Sequence, residues 1–200
     1  MGKDIQDKKD IVYDTILSRR SIRRFKQKEI PLNILEKLVN AARVAPSGAN
    51  LQVLEYVIIN EKELCKKIFE TIGWAAYIKP SWTPNPNERP VAYIVVMLND
   101  PNNRWYQRDV GFASENIAIT AEAEKIGSCI LCNINKNKIK EIINALGNLQ
   151  VDSLIALGYI AEKSVIENMV DSVKYWRDEK EIFHVPKRKL EDIIHYNKFK

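Results

Sequence analysis

Residues 19–25, Arg19-Arg20-Ser21-Ile22-Arg23-Arg24-Phe25, gather four guanidinium groups and one hydroxyl within six residues. Guanidinium is a planar fork of donors that matches phosphate oxygens two at a time and stays charged at any working pH. If the segment is extended, Arg19, Ser21 and Arg23 share one face and Arg20 takes the other. A second polar stretch, Ser47-Gly48-Ala49-Asn50-Leu51-Gln52, follows Pro46. Gly48 is free to adopt positive φ and to let backbone approach a ligand. Asn50 and Gln52 each offer a donor and an acceptor, the mixed partners that a flat heterocycle with alternating C=O and N–H groups needs. Taken singly, each stretch has a plainer reading: a solvated basic turn or nucleic-acid arm for the first, an ordinary turn for the second.

The remaining chemistry-bearing residues narrow the field. The three cysteines, Cys65, Cys129 and Cys132, are an odd number, which favours reduced thiols. Cys129-Ile130-Leu131-Cys132 reads as a buried strand that sends the two sulfurs to opposite faces, unlike a redox pair at a helix start. The two histidines, His184 and His195, have no carboxylate or cysteine at metal spacing, which argues against zinc. Ser47 lies in no G-x-S-x-G frame, and neither a dinucleotide-binding G-x-G-x-x-G nor a P-loop is found. The net charge of +5, from 31 basic and 26 acidic residues, does not demand nucleic acid. No apolar stretch reaches the roughly 20 residues of a membrane span, and Met1-Gly2-Lys3-Asp4 opens no signal peptide, so a cytoplasmic location is expected.

The elements that must position these residues alternate between helix and strand. A short helix (Ile11, Val12, Ile16, Leu17) precedes the arginines, after residues 1–10 that are charged and expected to fray. Pro31 opens a helix with Ile34, Leu35, Leu38, Val39 and Ala42 on one stripe, ending at Ala45-Pro46. A strand around Tyr56–Ile59 and an amphipathic helix over 61–72 come next. The Pro-rich stretch from Trp74 to Pro90 holds Tyr77 and Trp82, and its aromatics (Trp74, Tyr77, Trp82) are candidate walls for a flat substrate. Val91–Leu98 is the clearest buried strand. Arg104–Ile126 carries the longest helical pattern, with Val110, Ala113, Ile117 and Ala121 in line, Gly111 keeping it slim and Gly127 as its stop. A strand at 128–133, a helix at 136–146 and a strand from Leu154 into Gly158-Tyr159-Ile160 follow. The tail is mostly charged until a short strand at 182–186, then Lys187-Arg188-Lys189 and a last short helix. The interleaving argues for a mixed sheet layered with helices.

The order Arg19-Arg20-Ser21-Ile22-Arg23, Ala45–Gln52, Gly127-Ser128-Cys129 and Ala156-Leu157-Gly158-Tyr159 resembles the FMN-dependent nitroreductase family over roughly residues 11–196. The resemblance implies an α+β fold, a three-layer α/β sandwich with a mixed sheet flanked by helices. It implies one domain over 1–200, a homodimer with FMN at the interface, and a 161–200 extension packing on the partner. Carried over, Arg19, Arg20, Ser21 and Arg23 form the phosphate and ribityl side, and Pro46, Ser47, Asn50 and Gln52 the loop at the ring. Gly158 contacts flavin through backbone, and Lys187 with Arg188 (or Lys189, by register) completes the phosphate site. The chain departs from the family at Val53-Leu54, where Pro-Trp is common, and at Ile160, where proline is common. With no nucleophile, metal cluster or carboxylate pair, no protein residue is assigned as catalyst, and the chemistry is expected at flavin N5. The implied activity is a ping-pong hydride transfer from NADH or NADPH to small aromatic, nitro or quinone-like acceptors. A flavin-binding, storage or sensor protein without turnover and a basic nucleic-acid module are the alternatives.

Overall fold

The computed structural model describes residues 2–78 and 81–199. Its backbone packs as two units, Met1–Gly73 with Pro84–Ala161, and Trp74–Thr83 with Glu162–Lys200. In chain order the first unit contains α1 (Gly2–Ser18), β1 (Phe25–Lys26), α2 (Leu32–Arg43), β2 (Leu54–Ile59), α3 (Lys62–Phe69), β3 (Ala92–Leu98), α4 (Tyr106–Ala123), β4 (Ile126–Leu131), α5 (Lys136–Ile142) and β5 (Gln150–Ile160).

Every residue of β3 is buried, as its unbroken apolar run requires of a strand covered on both faces. Its even-numbered residues Ala92, Ile94, Val96 and Leu98 meet Leu35, Leu38, Val110, Ala113 and Ile117 from α2 and α4 in one core cluster. The odd-numbered Tyr93, Val95 and Met97 point to the opposite face. Strand β5 lies between β3 and β4, with Leu157 opposite Ala92 on one edge and Ser128 on the other. Beyond the end of β3, β1 takes over that same edge, with Lys26 opposite Tyr159. These ladders are antiparallel, and a parallel bridge between Ser21 and Ser128 makes the sheet mixed. The α+β class and the mixed sheet therefore hold.

Several local expectations are corrected. Helix α1 begins at Gly2, not near Ile11, because residues 2–10 contain no proline to stop the helical run. The helix opened by Pro31 runs from Leu32 to Arg43, with Pro31 itself the flanking residue. Gly127 is not the stop of α4: it lies within β4, opposite Gly158, and the left-handed residue after the helix is Lys125 (φ 60°). A Cβ at Gly127 would fall 2.9 Å from Ile22, so close packing of the segment after the arginines explains this glycine. The buried strand expected over Cys129–Cys132 is cut short: β4 ends at Leu131, so Cys129 is buried within it and Cys132 is exposed beyond it.

The second unit contains β6 (Ser164–Asn168), β7 (Trp176–Arg177) and β8 (Phe183–Lys187), with β8 central, parallel to β6 and antiparallel to β7. Charge in residues 162–180 hides this small sheet from pattern reading. The expected last helix is a single 3-10 turn, Leu190–Asp192. Residues 79 and 80 of the Pro-rich stretch lie outside the described residues.

Candidate active site

The loop after α2 is held by a carboxylate that sequence reasoning did not nominate. Asp109, in the first turn of α4 and 2% exposed, accepts from the Ser47 hydroxyl at 2.8 Å and from the Gly48 N–H at 3.0 Å. The Ser47 oxygen in turn accepts from the Gln52 N–H at 3.0 Å, closing the loop on itself. Within that closure Ala49, Asn50 and Gln52 all have positive φ (51°, 57° and 51°). Non-glycine residues in this region cost about 1–2 kcal/mol each, so the loop is a strained element kept in place by its neighbours. Gly48 is not the residue with positive φ. Its role is close approach, since a Cβ there would lie 2.7 Å from the Trp105 side chain. Trp105 is itself flanked by the Arg104 and Arg108 guanidinium groups at 4.5 and 4.9 Å from its ring centre.

Beside this loop is a cavity of about 150 Å³ lined by Pro46, Ser47, Gln52, Leu54, Tyr56 and Asp109. Burial, and then the charge of Asp109, push the Tyr56 phenol up to about 12, so Tyr56 is a neutral hydroxyl there. The Asn50 side chain is exposed, and its amide has no hydrogen-bond partner among the described residues. The Gln52 amide donates at 3.3 Å to the Asn50 carbonyl.

The arginine segment leaves α1 and is pinned by the Ile22 N–H donating to the Ser128 carbonyl at 2.9 Å. Ile22 is buried and Ser21 exposed, so the hydroxyl faces outward as an extended segment requires. Arg19 places Nε 3.1 Å from Glu115 of α4, and among the described residues its two terminal nitrogens have no partner. Arg23 donates from Nη1 to the Ser21 carbonyl at 3.3 Å. Arg20 turns back to donate to the Leu17 and Arg19 carbonyls at 2.6 and 2.7 Å, satisfying the end of α1. Burial and neighbouring Arg19 lower its pKa, with Glu122 opposing. Arg20 thus spends one nitrogen, Nη1, on closing the end of α1.

Gly158 is buried in β5, where a Cβ would lie 2.7 Å from Phe25, so packing accounts for it. In the second unit Lys187 ends β8, and Arg188 donates from Nη2 to the Asp192 carbonyl at 2.7 Å. Of the aromatics, Trp74 is buried, Tyr77 packs on Tyr175 at 5.0 Å between ring centres, and Trp82 lies under the Arg177 guanidinium at 4.6 Å. Trp74 is therefore a packing residue, not an open pocket wall. His184, which has no metal-spaced partners in sequence, sits between Glu167 (2.8 Å from Nδ1) and Asp178 (3.2 Å from Nε2).

Asp109 left one signal in the sequence. It precedes Ala113, Ile117 and Ala121 at four-residue spacing, and so puts an acid on the stripe that α4 buries.

The donor set fits a phosphate monoester carried by a flat heterocycle. Arg19 and Ser21 supply unengaged donors for the phosphate, and Asn50 supplies an unengaged amide for a ring edge. A protein of Archaeoglobus fulgidus, whose name provisionally assigns NADH dehydrogenase/NAD(P)H nitroreductase activity, is 28% identical over 189 residues, covering 92% of this chain and 96% of that protein. A protein of Nematostella vectensis named iodotyrosine deiodinase is 30% identical over 195 residues, covering 84% of this chain and 74% of its own. The crystal structure of a Bacteroides fragilis nitroreductase with bound FMN shares the fold, with a TM-score of 0.64 at 24% identity over 80% of this chain and 94% of that one. The model of the nitroreductase family matches residues 16–159, spanning α2, the strained loop, α4 and the central strands. The chain belongs to the nitroreductase family, and with it to the oxidoreductases.

Proposed function

We propose that the chain is an FMN-dependent NAD(P)H oxidoreductase acting on small aromatic, nitro or quinone-like acceptors. The observation that carries this reading is the Ser47–Gln52 loop, held in left-handed backbone by buried Asp109 and presenting an Asn50 amide that has no partner among the described residues. Arg19 and Ser21 would grip the phosphate, and Arg23 would place positive charge toward the ribityl side. Pro46, Ser47, Asn50 and Gln52 would border the ring. Bound FMN supplies the two-electron chemistry that no side chain of this set offers. Asp109 acts at one remove, as a positioning residue that fixes the loop.

The reading includes a homodimer in which residues 161–200 pack on the partner and Lys187 and Arg188 reach its phosphate site. Supporting it, α4 leaves Gly111 with nothing within 4 Å and Phe112 48% exposed, while α1 exposes Ile11, Val12, Tyr13, Ile16 and Leu17. Apolar side chains in such number on two elements call for a cover. The reading also places the enzyme in the cytoplasm, in keeping with cysteines that form no disulfide among the described residues.

The test is the visible spectrum of the purified protein, then an FMN titration by fluorescence and an anaerobic titration with NADH and NADPH. Flavin binding and flavin bleaching by a nicotinamide nucleotide are expected. Protein that leaves FMN fluorescence unchanged would overturn the assignment, and flavin that no nicotinamide nucleotide reduces would leave a storage protein. An acceptor panel of a nitroarene, a quinone and an iodinated phenol separates the proposed acceptors from the deiodination named for the Nematostella relative.

A further inference from the structure

A second cavity, of about 370 Å³, opens in the first unit beside α3 and the approach to β3. Its lining shares no residue with the arginine segment or with the Ser47–Gln52 loop. The walls are apolar where Phe69, Pro86, Pro90 and Val91 meet, and Lys62, Lys66 and Arg89 bring positive charge against the single acid Glu29. Lys62 and Lys66 already hold Glu29 (3.2 Å) and Glu63 (2.6 Å). Arg89 differs: among the described residues it has no carboxylate partner, its guanidinium carbon lies over the Phe69 ring at 4.0 Å from the ring centre, and its Nε is buried without an acceptor.

On β3 the Tyr93 hydroxyl is fully buried and, among the described residues, has no hydrogen-bond partner either. Burial, and then the charge of Cys65, raise the Tyr93 pKa while Arg89 lowers it, so the phenol stays protonated and remains a donor. Cys65 cannot serve as the missing acceptor, because its thiol is directed to the Ile59 and Val91 carbonyls at 3.7 and 3.6 Å. A buried cationic donor without an acceptor, as at the Arg89 Nε on the cavity wall, is costly unless an acceptor arrives. A carboxylate meets a guanidinium two oxygens at a time, and the proline, phenylalanine and valine walls suit an apolar body behind it.

We propose that this cavity is a binding site for a small organic acid, a carboxylate on a flat or compact apolar body, with Arg89 as its anchor. The site is separate from the flavin assignment and stands whether or not that assignment holds. The test is an amide-resolved NMR titration of the whole protein with benzoate and, in parallel, with its neutral isostere benzamide. Benzoate should shift amides within 62–69 and 86–91, and benzamide should bind about tenfold or more weakly, the loss of one charge-assisted contact. Arg89→Gln should weaken benzoate by a similar factor while FMN titration stays as in the parent. Equal binding of the two probes, or benzoate shifts confined to other segments, or no shift at millimolar probe, would overturn the proposal. The benzoate–benzamide comparison on the native chain decides the matter even if Arg89→Gln does not fold.

Discussion

Removing the Asp109 carboxylate tests whether the ring-side loop is a spring held by one buried acid. The two hydrogen bonds from Ser47 and Gly48 end on a charged acceptor, and such bonds are worth about 1.5–3 kcal/mol each, so about 3–6 kcal/mol together. Against them stand three non-glycine residues with positive φ, costing about 1–2 kcal/mol each, or about 3–6 kcal/mol. The two quantities nearly balance. Asp109→Ala should therefore let the loop relax and recover its strain, so global stability falls by only about 1–2 kcal/mol. What is lost is the conformation: amide exchange at Gly48 and Gln52 should accelerate sharply and FMN affinity should drop. Asp109→Asn keeps one acceptor oxygen and should lie between the two. Its Tyr56 phenol should titrate below the native value of about 12, yet above 10.0 because burial is the larger cause. Hydrogen exchange by mass spectrometry, FMN titration and the Tyr56 ring resonances read these outcomes. Unchanged exchange across residues 47–52 in Asp109→Ala would refute the reasoning, whatever happened to stability.

Four further outcomes follow from the same geometry. Arg19→Ala should weaken FMN by about tenfold to a hundredfold, the value of a charge-assisted contact, and unchanged fluorescence titration would remove Arg19 from the phosphate grip. Gly48→Ala would drive a Cβ to 2.7 Å from Trp105, so thermal melting should show a loss of about 1–3 kcal/mol, as for overpacking elsewhere. Ile94→Ala, at a fully buried position of β3, should cost about 2–5 kcal/mol in a denaturant melt. In the second unit, hydrogen bonds donated by the His184 ring to Glu167 and then to Asp178 raise its pKa above 6.5. A group whose folded pKa is raised stabilises most below its unfolded value, so this contribution is full below 6.5 and fades as pH climbs through the folded value. Melting temperature against pH should show that decline in the parent and not in His184→Gln, and parallel curves would refute the linkage.

The elements were legible where a periodicity had a single cause. The apolar run of β3, the stripe of α2 and the long pattern of α4 each follow from burial on known faces, and the structure keeps all three. Legibility failed where a residue type carries two meanings. Gly127 reads as a helix stop, but its missing side chain makes room for Ile22, and Lys125 takes the left-handed position without any glycine signal. Ala49, Asn50 and Gln52 were equally silent, because only tertiary hydrogen bonds hold them at positive φ. Charge in 162–180 concealed a three-stranded sheet whose pairing is partly parallel and non-local. The candidate site shows the same division. Its proposed ligand-side residues are nominated by type and spacing, whereas the acids behind them leave little signal, since a single carboxylate on a helix ordinarily faces solvent. Yet Asp109, Glu115 and Glu122 of α4 hold Ser47 and Gly48, Arg19, and Ser18 in turn. At 1.5 Å per residue these three acids span about 20 Å of helix. The two motifs far apart in sequence are thus fixed to one rigid rod, and a fault anywhere along α4 should disturb both ends of the site together.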